Sequence, residues 1–370
     1  MMNLKIAELR KRNGLTQQEL GEKLGVTFQT VSKWENEVTM PDITMLPQLG
    51  RIFHVSVDEL LGLVPLKGEE YLPTNTDTKE YWNKRVDYQK RTRKWMWNTD
   101  YVQFLVDKVW KIDKPVDVLD CGCGFGAWGL LLLPLLPEGS TYTGIDFSEE
   151  MLREAQIMFD KYEVQGTFIH ADFRMQECRK QYDLVLSQAV LRHVDNAKTW
   201  LEKMIAFAKK DGLIVSMECN REFEEDGLYI AGMDYAALCE HEGLKKLWKT
   251  EFSVQKRDYS IAMKVPHLMK HLGLSDVDIR MNDKATFLYP EKEDYKQELE
   301  DWRETHGWME EPTADRQADG IRYFMNHGMN RKEAEDYCRQ QNGIVRYLKK
   351  NKGEVALTKL TGVMISYGWK

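Results

Sequence analysis

The feature that most constrains the fold lies at residues 116–126. A short apolar strand, Val116-Asp117-Val118-Leu119-Asp120, runs directly into Cys121-Gly122-Cys123-Gly124-Phe125-Gly126, and a helix-compatible run begins near Ala127. Spaced glycines let the backbone turn sharply and approach a ligand at the helix N-terminus, where unpaired amides point outward. From 116 to 220, apolar β-branched runs alternate with amphipathic patterns, which predicts a parallel sheet with crossover helices. Strands are expected at 116–120, 141–145, 166–170, 182–186 and 213–217. The first four lead to Asp120, Asp146, Asp172 and Ser187-Gln188, and Ser148 is placed to cap the helix after the second. In an open α/β sheet, ligands bind at the edge formed by the carboxyl ends of the strands, so these groups point to one site.

Composition sets the outer limits. With 370 residues, 42% of them hydrophobic, the chain can bury one large core or two smaller ones, which excludes a disulfide-stapled miniprotein. The formal net charge of −7 argues against a generally basic, polyanion-binding protein. The six cysteines form no CxxC pair and no metal-ligand spacing, so a reduced, cytoplasmic protein without structural metal is expected. The longest apolar run, 129–137, is too short to span a bilayer and contains Pro134, so no membrane association is expected.

The pattern divides the chain into a small all-α region at 1–64, a linker at 65–78 and an α/β region at 79–370. Within the last, aromatic and basic helices are expected at 79–111, the sheet core at 116–220, and further helices and a strand at 221–290. A polar helical insertion follows at 291–352, with a final strand at 355–367. Residues 277–281 and 285–289 also read as strands. Together with the final strand they are expected to close the sheet as a hairpin interrupted by the insertion.

In the first region, Asn13-Gly14 stops an initial helix, Thr16 and Glu19 have the spacing of a capping box, and Gly25 ends the second helix. A third follows from Thr27, with Val31 and Trp34 facing inward. The string LTQQELGEKLGVTFQTVSKWE, followed by PDITMLPQLGRIFHVSVDELL, resembles the phage-repressor/Cro-like helix-turn-helix family over about 60 residues. That resemblance implies a DNA-binding domain whose third helix enters the major groove. Thr27, Phe28, Gln29, Thr30 and Lys33 would then face double-stranded DNA, with Gln17 near a phosphate. Gln29 would pair with adenine and Phe28 would pack on a thymine methyl. Residues 1–62 carry 7 basic and 8 acidic side chains, so counterion release adds little overall and binding would rest on a local patch and two half-sites. A homodimer is therefore expected.

The glycine loop also contains a literal G-x-G-x-x-G at Gly124, Gly126 and Gly129, a pattern shared with nicotinamide-binding folds. The order Asp120-x-Gly122-x-Gly124-x-Gly126, Asp146, Ala171-Asp172-Phe173 and Ser187-Gln188-Ala189-Val190-Leu191-Arg192-His193 is more specific. It resembles class I S-adenosylmethionine-dependent methyltransferases over residues 80–220. The resemblance implies a Rossmann-like domain with a seven-stranded, mostly parallel sheet and S-adenosyl-L-methionine as cofactor. By position, Asp120, Gly122, Gly124 and Gly126 would surround the methionine part and Asp146 would hold the ribose hydroxyls. Phe147 and Met151 would pack near the adenine, Asp172 and the Phe173 backbone would read its edge, and Ser187 and Gln188 would open onto the methyl group.

Methyl transfer from a sulfonium needs alignment and exclusion of water more than a dedicated base. His193 is the nearest base in sequence, although a structural hydrogen bond is the commoner role for such a residue, and Gln188 is the second catalytic candidate. Glu218 and Asn220 are placed either to face the acceptor or to cap the next helix. Residues 79–94 hold seven Lys and Arg among Tyr81, Trp82 and Tyr88, a segment suited to covering the cofactor or touching nucleic acid. Three readings follow. The preferred one is a small-molecule or peptide methyltransferase fused to a DNA-binding regulator. The second is a regulator that senses S-adenosylmethionine without turnover. The third, a nucleic-acid methyltransferase, is weakest, because no Asn/Asp-Pro-Pro-aromatic motif follows the fourth strand and no Pro-Cys pair is present.

Overall fold

The computed structural model describes residues 4–36, 38–61, 66, 78–93, 95–239 and 242–370. All of the expected linker except Leu66 and Thr78 lies outside the described residues, as does Lys94 of the basic segment. The described chain falls into two units: the first drawn from Met1–Pro73, Glu240–Val254 and Glu310–Tyr347, the second from Thr74–Cys239, Gln255–Met309 and Leu348–Lys370.

The first unit contains five short helices, α1 (Ile6–Arg12), α2 (Gln17–Leu24), α3 (Phe28–Glu35), α4 (Leu46–Phe53) and α5 (Val57–Leu60). The capping box at Thr16 and Glu19 is formed in full, and Gly25 ends α2 in the left-handed conformation. Ile6, Leu20, Val31, Trp34, Leu49 and Phe53 pack into one core. Two later stretches join this unit, 240–254 and 310–347, both of which the sequence placed in the α/β region. They form a separate apolar cluster around Leu244, Leu247, Met329 and Ala334. Amphipathic periodicity marks a buried face but does not say which core covers it.

The second unit is built on a seven-stranded sheet. Its strands are β1 (Asp117–Cys121), β2 (Thr141–Asp146), β3 (Thr167–His170), β4 (Tyr182–Gln188), β5 (Ala208–Cys219), β7 (Ser275–Met281) and β10 (Val363–Trp369), in the order β3-β2-β1-β4-β5-β10-β7. The first five are parallel, and β10 runs antiparallel to both β5 and β7. The chain reverses its winding between β1 and β4, the crevice where such sheets bind ligands. Apolar side chains cover both faces: one layer around Trp128, Phe159 and Leu186, the other around Trp200, Met204 and Val265.

The strand expected over 355–367 is two strands. Residues Leu357–Leu360 form β9, which joins β6 (Leu228–Ile230) and β8 (Ala285–Leu288) in a second sheet of order β6-β9-β8. Gly362, at φ +66°, turns the chain into β10, and Asn220 N–H donates to its carbonyl. Hence only β7 and β10 close the large sheet, while the 285–288 strand is diverted to the small one.

Candidate active site

The carboxyl ends of β1 to β4 open onto a cavity of about 880 Å³ of empty space, its open mouth included. The glycine loop forms its floor. The amides of Gly122 and Cys123 donate to the Ile145 carbonyl (2.8 and 3.1 Å), which pins the loop to β2. Gly122 sits at φ +80°, and a Cβ there would lie 2.8 Å from Val190, so this position tolerates no side chain. Gly126, at φ +74°, begins the helix Ala127–Leu132; a Cβ on it would meet the Phe159 ring at 2.7 Å.

Asp146, at the end of β2, is the centre of the arrangement. One carboxylate oxygen accepts from Gly124 N–H (2.8 Å) and the other from Ser148 N–H (2.9 Å), so the loop and the next helix are joined through one side chain. Burial raises its pKa, opposed by those amide bonds. Ser148 caps the helix Glu149–Lys161 and donates its hydroxyl to Asn83 Oδ1 at 2.5 Å, which ties the helix Lys79–Asn83 to the same place. Met151 is buried against the cavity. Asp120 accepts from the Tyr142 hydroxyl at 2.8 Å. Burial pushes its carboxyl up to about 7, and repulsion from Asp146 acts in the same direction. Among the described residues its second oxygen has no hydrogen-bond partner.

On the β3 side, Asp172 caps the turn Phe173–Met175 and is paired with Arg174 at 2.8 Å. Burial works against ionisation there, yet the Arg174 hydrogen bonds hold the carboxyl below its ordinary value. The Phe173 ring packs on Trp200 and Phe207, 4.9 and 5.3 Å between centroids, while the residue also lines the cavity, as does Phe147.

On the β4 side, Gln188 lines the cavity, and its amide nitrogen has no partner among the described residues. Ser187 is a correction. It is fully buried and absent from the cavity lining, because alternate strand residues face opposite sides of the sheet. His193 lines the cavity with its ring edge-on to Trp82, 5.1 Å between centroids. Its Nδ1 has no partner among the described residues, and Nε2 lies 3.4 Å from Arg192 Nη2, so no strong structural hydrogen bond holds it. Burial, followed by the charges of Arg192, Arg257, Arg93 and Arg85, drives its pKa well below 6.5, leaving a neutral imidazole.

Glu218 and Asn220 lie outside the cavity lining. Asn220 caps the helix Arg221–Asp226, and Glu218 accepts from the amides of Val190 and Leu191 at 3.0 and 2.8 Å. Burial pushes Glu218 up to about 7. Among the lining residues not singled out as site residues from sequence are Trp82, Gln89 and Arg93. Their signal was the aromatic and basic segment 79–94. Much of that segment's charge is taken up internally: Lys90 pairs with Glu154, Arg91 with Glu304 at 3.2 Å, and Arg85 lies over the Tyr81 and Tyr88 rings.

In the helix-turn-helix unit, Thr27, Phe28, Gln29 and Lys33 are exposed and Thr30 is half-buried. Thr27 is the cap of α3, accepting from Thr30 N–H. Gln17 does not match its expected role: its amide donates to Glu35 at 2.8 Å, and Glu35 is also paired with Arg10. A half-buried carboxylate gains from a second donor, and the half-buried Gln17 side chain supplies it.

Comparison with known proteins agrees with this geometry. Residues 112–300, just over half the chain, match the methyltransferase-domain family, and residues 6–60 match a helix-turn-helix family. The chain belongs to the methyltransferase-domain family, and it carries a helix-turn-helix domain at its N-terminal side. Similar curated proteins include ubiquinone biosynthesis O-methyltransferases. That of Bradyrhizobium diazoefficiens is 31% identical over 118 residues, covering 32% of this chain and 46% of that protein. That of Rickettsia typhi is 24% identical over 149 residues, covering 36% and 59%. The chain thus spans about half the length of the curated relatives it matches. Similar solved structures include phosphoethanolamine N-methyltransferase 2 of Haemonchus contortus with S-adenosyl-L-methionine, at 14% identity, TM-score 0.40, and 73% and 52% coverage. Magnesium protoporphyrin IX methyltransferase of Synechocystis is 20% identical, with TM-score 0.36 and 53% and 80% coverage.

The methyltransferase domain implies S-adenosylmethionine as cofactor. The cavity has the donor set for it: buried carboxylates at Asp146 and Asp120, an unmet oxygen on Asp120, and a floor that a Cβ at Gly122 would fill. Among the described residues no helix is long and apolar enough to cross a membrane, and no group of His, Cys, Asp and Glu could hold a metal ion.

Proposed function

We propose that this chain methylates a small molecule or peptide and that its N-terminal domain binds DNA, linking the enzyme to transcriptional control. The observation that carries the methyltransferase reading is the convergence of Asp146, the glycine loop, Asp172 and Gln188 on one cavity at the switch point of the sheet. In this reading Asp146 keeps its remaining lone pairs for the ribose hydroxyls. Gly122 and Gly124 give the methionine part room, with Asp120 facing its ammonium, while Gly126, expected to join them, lies outside the cavity lining and starts the helix beneath the loop. Met151 and Phe147 pack beside the adenine, whose edge Asp172 and the Phe173 backbone read. When bound, the sulfonium supplies an activated methyl group with a good leaving group. The protein's share is to align the acceptor and keep water out.

His193 is the group able to receive a proton from the acceptor. Because its pKa is depressed, it stays neutral as the pH falls through 6.5. The expected result is that kcat/KM shows no decline between about pH 8 and pH 6 attributable to imidazole protonation. A fall centred near 6.5, abolished in His193→Gln, contradicts the depressed pKa of the imidazole.

A sensor without turnover is the second reading. Against it, Trp82, Gln188 and His193 line the same cavity as the cofactor carboxylates, so the acceptor side is not filled by protein. Transfer of radioactive methyl from S-adenosylmethionine to neutral metabolite extracts tests the difference: labelled product supports an enzyme, and tight binding with no transfer supports a sensor.

For the DNA-binding part, exposed Gln29 carries the base-reading role. Gln29→Ala is expected to relax preference at one base pair by about 1 to 3 kcal/mol. A binding-site selection that returns the parental preference rejects that contact. The homodimer follows from the two half-sites that such a domain needs, and light scattering that shows only monomer opposes it.

A further inference from the structure

The acceptor side of the cavity has an unusual balance of hydrogen-bonding groups. Arg93 lines it, and among the described residues no carboxylate lies within ion-pair distance of its guanidinium, whose one side-chain hydrogen bond is to Met96 Sδ at 3.0 Å. Gln188 and His193 line the same space, and the Gln188 amide nitrogen and the His193 Nδ1 are buried without a partner among the described residues. Two further guanidiniums lie on aromatic rings close by, Arg192 over Tyr259 and Arg85 over Tyr81. The acids in electrostatic reach of Arg93 are Asp120 and Glu218. Asp120 is already bonded to Tyr142, and Glu218 to two backbone amides. Burial opposes the ionisation of both carboxyls, pushing each up to about 7.

Position within the sheet separates this group from the ribose and adenine groups. Asp146 and Asp172 stand at the ends of β2 and β3, whereas the groups acting on Arg93 are Asp120 on β1, Glu218 and Cys219 on β5, Arg192 and His193 in the turn after β4, and Tyr88 on Arg93's own helix. Neighbouring strands lie about 4.8 Å apart, so β2 and β5 are separated by roughly 14 Å across three intervals. A donor-rich, cation-rich pocket with apolar walls at Trp82, Val190 and Val194 suits an apolar body that carries an oxyanion.

We propose that Arg93, Gln188 and His193 form the acceptor subsite and that the methyl acceptor bears a carboxylate or comparable oxyanion seated on the Arg93 guanidinium. This rests on the methyltransferase reading. The test uses the full chain saturated with S-adenosylhomocysteine and follows sodium benzoate by calorimetry, with benzamide as the neutral probe of the same shape. Benzoate is expected to bind at least about tenfold more tightly than benzamide, and Arg93→Gln to erase that preference while S-adenosylhomocysteine affinity stays within about twofold. Arg93→Lys, which keeps the charge, should retain most of it. Equal or absent binding of the two probes overturns the proposal. So does an Arg93→Gln variant that loses S-adenosylhomocysteine affinity, since Arg93 would then hold the cofactor's own carboxylate. Failure of the unaltered protein to bind S-adenosylhomocysteine is a different result: it rejects the cofactor reading itself, and the acceptor site with it.

Discussion

Asp146→Ala is expected to weaken S-adenosylhomocysteine binding by about 3 kcal/mol or more, roughly a hundredfold or greater, with almost no loss of thermal stability. The two effects separate because of where the carboxylate sits. In the unliganded protein it serves two backbone amides, Gly124 and Ser148, and its burial opposes ionisation, so removing it relieves a desolvated charge as it loses those bonds. In the complex it is the acceptor proposed for both ribose hydroxyls, and nothing else at the end of β2 replaces it. Calorimetry on the variant, paired with a melting curve, checks both halves. Binding unchanged would remove Asp146 from the site, whereas a collapse in stability would make it a structural residue instead.

Phe159→Ala is the second large effect. The ring is fully buried, tilted against Tyr142 and edge-on to Phe168, and a Cβ on Gly126, Gly129 or Gly166 would come within 2.9 Å of it. Three glycines make room for one phenyl group, which therefore supports the underside of the cofactor loop. Truncation leaves a void that a close-packed core fills only in part, at a cost of about 3 to 5 kcal/mol. Chemical denaturation of the second unit's transition measures this. A loss below about 1 kcal/mol would mean that the loop does not rest on this ring.

What was legible in the sequence was local. Thr16 with Glu19, Ser148 before its helix and Gly25 at a helix end are read by neighbours one to four residues away, and each has the geometry that its spacing predicts. The order of acids at strand ends also survived, because parallel topology brings those ends to one edge whatever the loops do. What escaped depends on distant partners. Ser187 was placed by its adjacency to Gln188, but a strand turns neighbouring side chains to opposite faces, and only the observed β4 fixes which one meets the cavity. Gln17 was aimed at DNA, yet Glu35, eighteen residues on, captures it. Arg93 lay within a basic run whose members look alike in sequence. Lys90 and Arg91 pair with acids on other helices, and Arg93 alone of those three lines the cavity. The helices at 242–255 and 314–326 showed an apolar stripe without showing which core would cover it.

A methyltransferase requires the cavity at the β1–β4 switch point to be a cofactor site. The most direct measurement is calorimetric titration of S-adenosylhomocysteine into the purified full chain, first freed of any carried-through cofactor by partial unfolding and refolding. Saturable binding at one site per chain, lost in Asp146→Ala, is the expected result. A folded protein that gives no binding, with nothing released on unfolding, would contradict it.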